Sequence, residues 1–242
     1  TGLLMIWKPS ILQLSENVYQ INIGGTSVVL IENAGAPILI DAGFKWSAKS
    51  LNASLNSLNY EIADIKALLM THFHPDHTGG ASNLVENGVT ETAIHKLDAP
   101  IISGDQNMPG LMATPGLKLL INPVVRYLAG NWLEPTTLLE GGENLKFPIP
   151  INVIHTPGHT LGSVCYHLPT EGVLIAGDAL SRRFNRLSGP SKVWSQDWTQ
   201  GMDSLNKLTE FDYDIVCLSH FRPLLENGKK MVVNLIEGYD QL

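Results

Sequence analysis

Four side chains that can bind a metal ion lie within one short stretch of the chain: His72, His74, Asp76 and His77. They directly follow the apolar run at residues 67–70, so a strand there would deliver them to one edge of a sheet. Imidazole nitrogen and carboxylate oxygen suit zinc, iron or manganese, and the stretch has no thiolate for a closed structural zinc site. The alternative is a histidine-rich surface turn, which does not account for ligands at this density. The stretch predicts a metal site.

Further potential ligands follow other apolar runs. Residues 151–154 lead to His159, residues 173–176 to Asp178 and residues 215–218 to His220. Buried strands that end in His or Asp are typical of a layered α/β fold, because ligands gather outside the strand ends of such sheets. One metal with an open position needs three protein ligands, so the seven candidates are enough for two metals if one carboxylate bridges.

The elements that position these residues can be predicted from local patterns. Residues 17–23, 27–32 and 37–41 predict three short strands joined by glycine-bearing turns, which form an antiparallel meander. Helices are expected over residues 46–58, 80–87, 198–209 and 224–237, with the ligands at 72–77 in a strand-to-helix loop. Outside the ligand set, His167 is expected to face solvent, and Trp194 and Trp198 are interpreted as packing anchors.

Composition limits the class of protein. The 242 residues, 44% hydrophobic and 16% charged, predict one globular α/β domain spanning residues 1–242. The net charge of −7 does not suit a nucleic-acid surface, and no apolar run approaches the ~18 residues of a membrane span. Cys165 and Cys217 lie in apolar runs and are interpreted as buried thiols of a reducing compartment. We therefore expect a cytoplasmic protein with a small-molecule partner.

The ordered set of motifs resembles the metallo-β-lactamase-fold hydrolase superfamily. Residues 72–77 match its His-x-His-x-Asp-His signature, and residues 156–163, Thr-Pro-Gly-His-Thr-Leu-Gly-Ser, are similar to the second signature in the glyoxalase II-like branch. Ala176-Gly177-Asp178 and Ser219-His220 match the third and fourth signatures, so the resemblance runs from about residue 18 to residue 220. It implies a four-layer αββα sandwich built from two similar halves.

The resemblance also implies roles for the ligands. His72, His74 and His159 would hold one metal, Asp76, His77 and His220 would hold a second, and Asp178 would bridge them. The cofactors would be two divalent cations, zinc first, with iron or manganese as alternatives. A metal-bridging hydroxide, oriented by Asp76, would attack the carbonyl of an ester, a lactone or a thioester. Asp41, which follows another apolar run, is interpreted as fixing a ligand or loop by hydrogen bonding.

Departures from individual branches narrow this expectation. True metallo-β-lactamases lack the bridging aspartate, so Asp178 disfavours antibiotic hydrolysis. The 22 residues after His220 are too few for the C-terminal domain of glyoxalase II, and the basic arm of the RNA-processing branch is missing. The lactone- and ester-cleaving members resemble the chain most. The alternatives are a mononuclear iron oxygenase of the persulfide dioxygenase type, a phosphodiesterase of the same superfamily, and a binding protein without turnover.

Two variable stretches are candidates for substrate selection. Residues 100–135, rich in Pro, Gly and large apolar side chains, are interpreted as a cap beside the metals that suits an acyl chain; the alternative is a packed helical pair or a homodimer contact. The second stretch follows Asp178 and contains Arg182, Arg183 and Arg186 without an acidic neighbour. We expect one of these arginines to pair with an anionic part of the substrate, and the alternative is a solvated loop or subunit contact.

Overall fold

Seven strands form the first of two large sheets, in the order of the chain. The computed structural model describes residues 9–109, 130–183 and 186–240. The strands are β1 (Ser10–Ser15), β2 (Val18–Asn22), β3 (Ser27–Ile31), β4 (Ile38–Ile40), β5 (Ala67–Leu69), β6 (Glu91–His95) and β7 (Thr137–Leu139). β1 to β4 are antiparallel, which confirms the predicted meander, and β4 to β7 are parallel. β1 was not predicted, because the adjacent apolar residues Ile11 and Leu12 break its alternation and half of its six residues are exposed.

The second large sheet has five strands. These are β8 (Asn144–Leu145), β9 (Ile151–His155), β10 (Val164–Leu168), β11 (Val173–Ile175) and β14 (Ile215–Cys217), in the spatial order β14-β11-β10-β9-β8. β11 and β14 are parallel and the other pairs are antiparallel. Between β11 and β14 in the chain, β12 (Ser181–Arg183) and β13 (Arg186–Ser188) pair as a separate hairpin, which begins shortly after Asp178.

Helices cover the outer faces of both sheets. They are α1 (Ala48–Ser57), α2 (Pro75–Thr78), α3 (Ala81–Glu86), α4 (Ala99–Ser103), α5 (Trp198–Ser204) and α6 (Gly228–Asp240), with 3-10 turns at Lys45–Ser47, Ile62–Asp64 and Leu205–Glu210. The last helix begins at Gly228, and not at Leu224 as predicted. Leu224 instead exchanges two backbone hydrogen bonds with Val216, each 2.9 Å long, and this pairing delays the helix.

Three buried clusters hold the layers together. The central cluster joins the inner faces of the two sheets and includes Val29, Ile40 and Tyr166. A second cluster packs the outer face of the first sheet against α1, α3 and α4, and a third packs the second sheet against α5 and α6. This helix–sheet–sheet–helix order is the predicted αββα sandwich, so the fold class is confirmed. The assignment of residues 1–242 to one domain stays a prediction.

Burial on both faces of the second sheet corrects one prediction and confirms another. His167 does not face solvent: it is buried, and its Nε2 donates a hydrogen bond of 2.8 Å to the carbonyl of Asp212. The alternation of residue types in β10 does not separate a solvent-exposed face from a buried one, because helices cover the outer face of the sheet. Cys165 and Cys217 are buried free thiols, as predicted.

Among the helices of the described residues, none has the length and apolar character needed to cross a membrane.

Candidate metal centre

The first ligand motif lies at the carboxyl end of β5, one of the parallel strands of the first sheet. His72 and His74 follow β5, and Pro75 then begins the four-residue helix α2, which carries Asp76 and His77. Proline suits this first helical position, because its missing N–H would have no partner there. The prediction that all four ligands lie in a loop was therefore wrong for the last two, since the helix is too short to leave an apolar pattern in the sequence.

Three imidazoles converge on one point. His74 Nδ1 lies 3.0 Å from His72 Nε2 and 2.9 Å from His159 Nε2. Burial lowers the pKa of all three rings, that of His74 to about 3 and that of His72 well below its usual range. Because the rings are neutral, each can turn an unprotonated nitrogen towards this point, and three lone pairs at these distances repel one another unless a cation lies between them. Their spacing is near the ~3.3 Å expected between nitrogens that share a tetrahedral zinc ion.

A second group of side chains lies beside the first. His220 Nε2 is 3.1 Å from Asp76 Oδ2, and His77 Nε2 is 3.6 Å from the same oxygen. His77 Nε2 is buried and has no hydrogen-bond partner. Burial disfavours charge on these imidazoles, but the surrounding carboxylates raise the pKa of His77 to about 10 and that of His220 to about 12. The carboxylates therefore create a field that favours a cation at this point.

Asp178 lies between the two groups. Its Oδ2 is 3.4 Å from His159 Nε2, while its Oδ1 is 3.3 Å from His220 Nε2 and 3.5 Å from His77 Nε2. One carboxylate oxygen thus faces each group, which is the arrangement that a bridging ligand requires. All seven predicted ligands, which are spread over the chain from residue 72 to residue 220, are brought together. Their assignment as ligands stays a prediction.

Hydrogen bonds on the outer sides of the His77 and His220 rings fix which nitrogen of each ring faces the centre of the cluster. Asp41 Oδ2 accepts from His77 Nδ1 at 2.7 Å, and the same carboxylate accepts from the amide and hydroxyl of Thr71 at 2.7 and 2.8 Å. This is the hydrogen bonding predicted for Asp41. His220 Nδ1 donates to the carbonyl of Gly25 at 2.9 Å. Both rings consequently turn Nε2 inward, where a cation would take the place of the ring proton, so the donor set fits a pair of divalent cations.

Two polar residues that support the ligand loops were missed by sequence reasoning. Gln20, buried on β2, donates from Nε2 to the carbonyls of Leu218 and Phe221, at 2.7 and 3.2 Å, on either side of His220. Asp98, which follows β6, accepts hydrogen bonds from the loops of both His74 and His159. Asp98 had a usable signal, because it lies three residues beyond the end of β6, much as His159 lies four residues beyond the end of β9. Gln20 had none.

We expect Gln20→Met to weaken the binding of one cation selectively. The change removes the donor that fixes the backbone around His220 but keeps a side chain of similar length. The cation at Asp76, His77 and His220 should bind roughly 10- to 100-fold more weakly, while binding at the three-imidazole group is unchanged. A zinc titration against a chelator, resolved into two steps, measures both affinities. Gln13→Met on the exposed strand β1 is the matched control, and equal weakening of both steps would contradict the assignment.

The structure describes only part of each of the two stretches predicted to select the substrate. Within residues 100–135, Met108 and Leu133 pack partly buried against the first-sheet core, and a Cβ on Gly130 would lie 2.4 Å from the carbonyl oxygen of Gly79, just after α2. The cap residues 110–129 lie outside the described part of the chain. Arg182 is half-buried, Arg186 is exposed, and the side chain of Arg183 lies outside the described residues. Their contact with a substrate stays a prediction.

Comparison with known proteins agrees with this geometry. The family model of the metallo-beta-lactamase superfamily matches residues 21–220, so the chain belongs to this superfamily. A Bacillus subtilis protein described as a probable metallo-hydrolase is 25% identical over 235 residues, which cover 94% of this chain and 97% of that protein. A second probable metallo-hydrolase from the same organism is 24% identical over 246 residues, covering 95% of this chain and 92% of that protein.

Solved structures show the same fold. A metallo-beta-lactamase family protein from Thermus thermophilus superposes with a TM-score of 0.74 at 21% identity, covering 95% of this chain and 81% of that one. A subclass B3 metallo-beta-lactamase from Bradyrhizobium japonicum superposes with a TM-score of 0.68 at 18% identity, covering 100% of this chain and 96% of that one. At these identities the likeness establishes the fold alone.

Proposed function

We propose that the protein is a dinuclear metal-dependent hydrolase that cleaves a carboxylic ester, a lactone or a thioester. The observation that carries the proposal is the position of Asp178, whose two oxygens face the two groups of ligands. His72, His74 and His159 would hold one cation, and Asp76, His77 and His220 the other. The four potential ligands beside the first three imidazoles favour two cations over the single iron of an oxygenase. The relatives described as probable metallo-hydrolases support the same class.

Two cations in these positions would activate a water molecule near neutral pH and polarise the scissile carbonyl; zinc is the first candidate, with iron or manganese as alternatives. The chain also supplies a group that can orient this water. Burial alone would raise the pKa of Asp76, but His77 and His220 lower it to about 2, so the carboxylate is ionised at neutral pH. Its side chain is 20% exposed, on the open side of the cluster. Asp76 is therefore the group that we assign to orient the attacking water, by accepting a hydrogen bond from it.

A nucleophilic thiol is not needed and is not available among the described residues. Burial raises the pKa of Cys165 to about 12 and raises that of Cys217 even further, so neither forms a thiolate at neutral pH. Both sulfur atoms are used in packing.

Exposed apolar side chains next to the ligand loops support a substrate with an acyl part. Leu161 follows His159 by two residues and is 48% exposed, and Phe221 follows His220 and is 41% exposed. Trp194, interpreted from sequence as a packing anchor, is instead 52% exposed. Its segment is bound to the His159 loop, since the Gln196 amide donates to the His159 carbonyl at 3.0 Å. Large apolar side chains left exposed beside a candidate site are typical of a binding surface.

A substrate panel tests the proposed class. Protein reconstituted with zinc is assayed on p-nitrophenyl carboxylic esters, lactones, thioesters and phosphodiesters, and separately for sulfur oxidation after loading with iron. We expect turnover of at least one carboxyl substrate and none of the phosphodiesters. Turnover confined to phosphodiesters, or oxygen consumption with a persulfide, would replace the proposal with one of the two rival activities.

The arginines after Asp178 give a sharper prediction about the substrate. Replacing Arg182, Arg183 and Arg186 together by alanine should raise the KM for an anionic acyl substrate about 10-fold or more with little change in kcat, because a charge-assisted hydrogen bond contributes roughly 1.5–3 kcal/mol. The KM for a neutral ester of the same chain length should not change. Alanine at the exposed Lys49, Lys146 and Lys230 removes equal charge elsewhere and is the control. An unchanged KM for every anionic substrate would show that the arginines only face solvent or a subunit contact.

A further inference from the structure

Asp98 joins the two loops that carry the three converging imidazoles. Its Oδ2 accepts hydrogen bonds from the Phe73 amide at 3.0 Å and from the Thr160 hydroxyl at 2.7 Å, and its Oδ1 accepts from the Gly162 amide at 2.8 Å. Phe73 lies between His72 and His74, and Thr160 follows His159. The carboxylate thus contacts the backbone or side chain next to each of the three imidazoles, although its partners are 25 to 64 residues away in sequence.

Asp98 does not act as an ordinary helix cap. It is the residue before α4, where an aspartate commonly accepts a hydrogen bond from the first turn of its own helix. Its side chain makes no such bond here and is directed entirely to the ligand loops. The residue is 1% exposed, so the cost of burying its charge is offset only by these three donors. Burial raises the pKa of Asp98 to about 6, against the effect of the three hydrogen bonds, which leaves it largely ionised at neutral pH.

The fit around this carboxylate is close. A Cβ on Gly162 would lie 2.5 Å from Asp98 Oδ1, so a side chain at that position would displace the carboxylate. The Thr160 hydroxyl also lies 2.8 Å from the Ser163 hydroxyl, and Ser163 Oγ in turn accepts from the Thr160 amide at 2.9 Å. The loop that carries His159 is therefore held in one position by a closed set of hydrogen bonds around Asp98.

We propose that Asp98 is a positioning residue that sets the distance between His159 and the pair His72 and His74, and thereby sets the affinity of the first cation. The proposal relies on the proposed metal pair and not on the identity of the substrate. An asparagine at this position would turn an NH₂ group towards the amide of Phe73 or that of Gly162 and leave that buried amide without an acceptor. The three ring nitrogens, now 2.9 and 3.0 Å apart, would separate. Loss of an outer group that orients the ligands of a metal typically weakens the binding of that metal 10- to 100-fold.

The test is a two-step titration of the metal-free full chain with Zn²⁺ against a chelating dye, followed by the visible spectrum of the Co²⁺-loaded protein. Two binding steps in the native protein are the starting condition, and the absence of binding would refute the proposed metal pair itself. His159→Ala and His220→Ala identify which step belongs to which group. Asp98→Asn should weaken the His159 step 10- to 100-fold and alter the Co²⁺ spectrum. The His220 step should stay within a factor of about 2.

Further variants separate positioning from a general loss of stability. Thr160→Val removes one donor to Asp98 and should weaken the same step, whereas Thr160→Ser keeps the hydroxyl and should restore near-native affinity. Gly162→Ala leaves every donor in place but displaces the carboxylate, so it should resemble Asp98→Asn. Gln20→Met, which acts on the other loop, should show the opposite selectivity. If Asp98→Asn does not fold, the Thr160 pair decides. Equal affinities for the Val and Ser variants, or equal weakening of both steps, would overturn the proposal.

Discussion

Removal of divalent cations should reduce hydrolysis to background and lower the melting temperature. Five imidazoles and two carboxylates converge in the cluster, and a ligand that binds only the folded state stabilises it by about 2.7 kcal/mol when present at a hundred times its Kd. For a chain of this size each kcal/mol corresponds to about 2–4 °C, so we expect a fall of at least about 5 °C. Activity and thermal unfolding are measured before dialysis against a chelator, after dialysis and after addition of Zn²⁺.

Reconstitution provides the control for this experiment. Zn²⁺ added in steps to the metal-free protein should restore the activity as the second equivalent binds, whereas Ca²⁺, which prefers oxygen ligands, should not restore it. Undiminished turnover by protein that contains less than a tenth of an equivalent of any transition metal would contradict metal-dependent catalysis. Such a result would favour a binding protein or a different chemistry.

Asp178→Ala should be among the most damaging single substitutions in the chain. The carboxylate lies within about 3.5 Å of inward-facing nitrogens from both ligand groups, so its loss removes negative charge from both cation positions. Metal-ion catalysis contributes several kcal/mol, and each 1.36 kcal/mol corresponds to a factor of ten in rate. We therefore expect kcat/KM to fall at least about 1000-fold and the bound metal to fall from two equivalents to one or fewer.

A matched substitution separates this effect from a general loss of an acidic residue. Asp203 is an exposed aspartate on α5, and Asp203→Ala should leave both metal content and kcat/KM within a factor of about 2 of the native values. Circular dichroism and unfolding of the metal-free proteins show whether the Asp178 variant is folded. A folded Asp178→Ala protein that retained two equivalents and full activity would show that this carboxylate does not bridge.

The positions of the ligands could be predicted because they follow a rule that local sequence shows. Each lies at or just after the end of a buried apolar run, and strand ends on one edge of a sandwich converge in space. His72, His159, Asp178 and His220 were found in this way although they lie on four different loops. Asp41 also ends an apolar run, and its carboxylate contacts His77. Local apolar pattern was enough because it determines both the strand and its end.

The supporting residues could not be predicted, because their partners are set by tertiary packing. Gln20 bonds the carbonyl of Leu218, 198 residues away, and nothing in the local pattern of β2 distinguishes this residue from a solvent-facing glutamine. His167 was expected to be exposed because β10 alternates, but the helices that cover the sheet lie elsewhere in the chain. Helix ends differed for a similar reason: the bridge between Leu224 and Val216 moved the start of α6 to Gly228.

The most direct test is to locate the cations themselves. Crystals of protein loaded with Zn²⁺ are measured on both sides of the zinc absorption edge, and anomalous difference maps give the number and position of the ions. We predict two peaks roughly 3.5–4 Å apart, one against His72, His74 and His159 and the other against Asp76, His77 and His220, with Asp178 between them. A single peak, or peaks away from Asp178, would contradict the two-metal site on which the proposed hydrolysis depends.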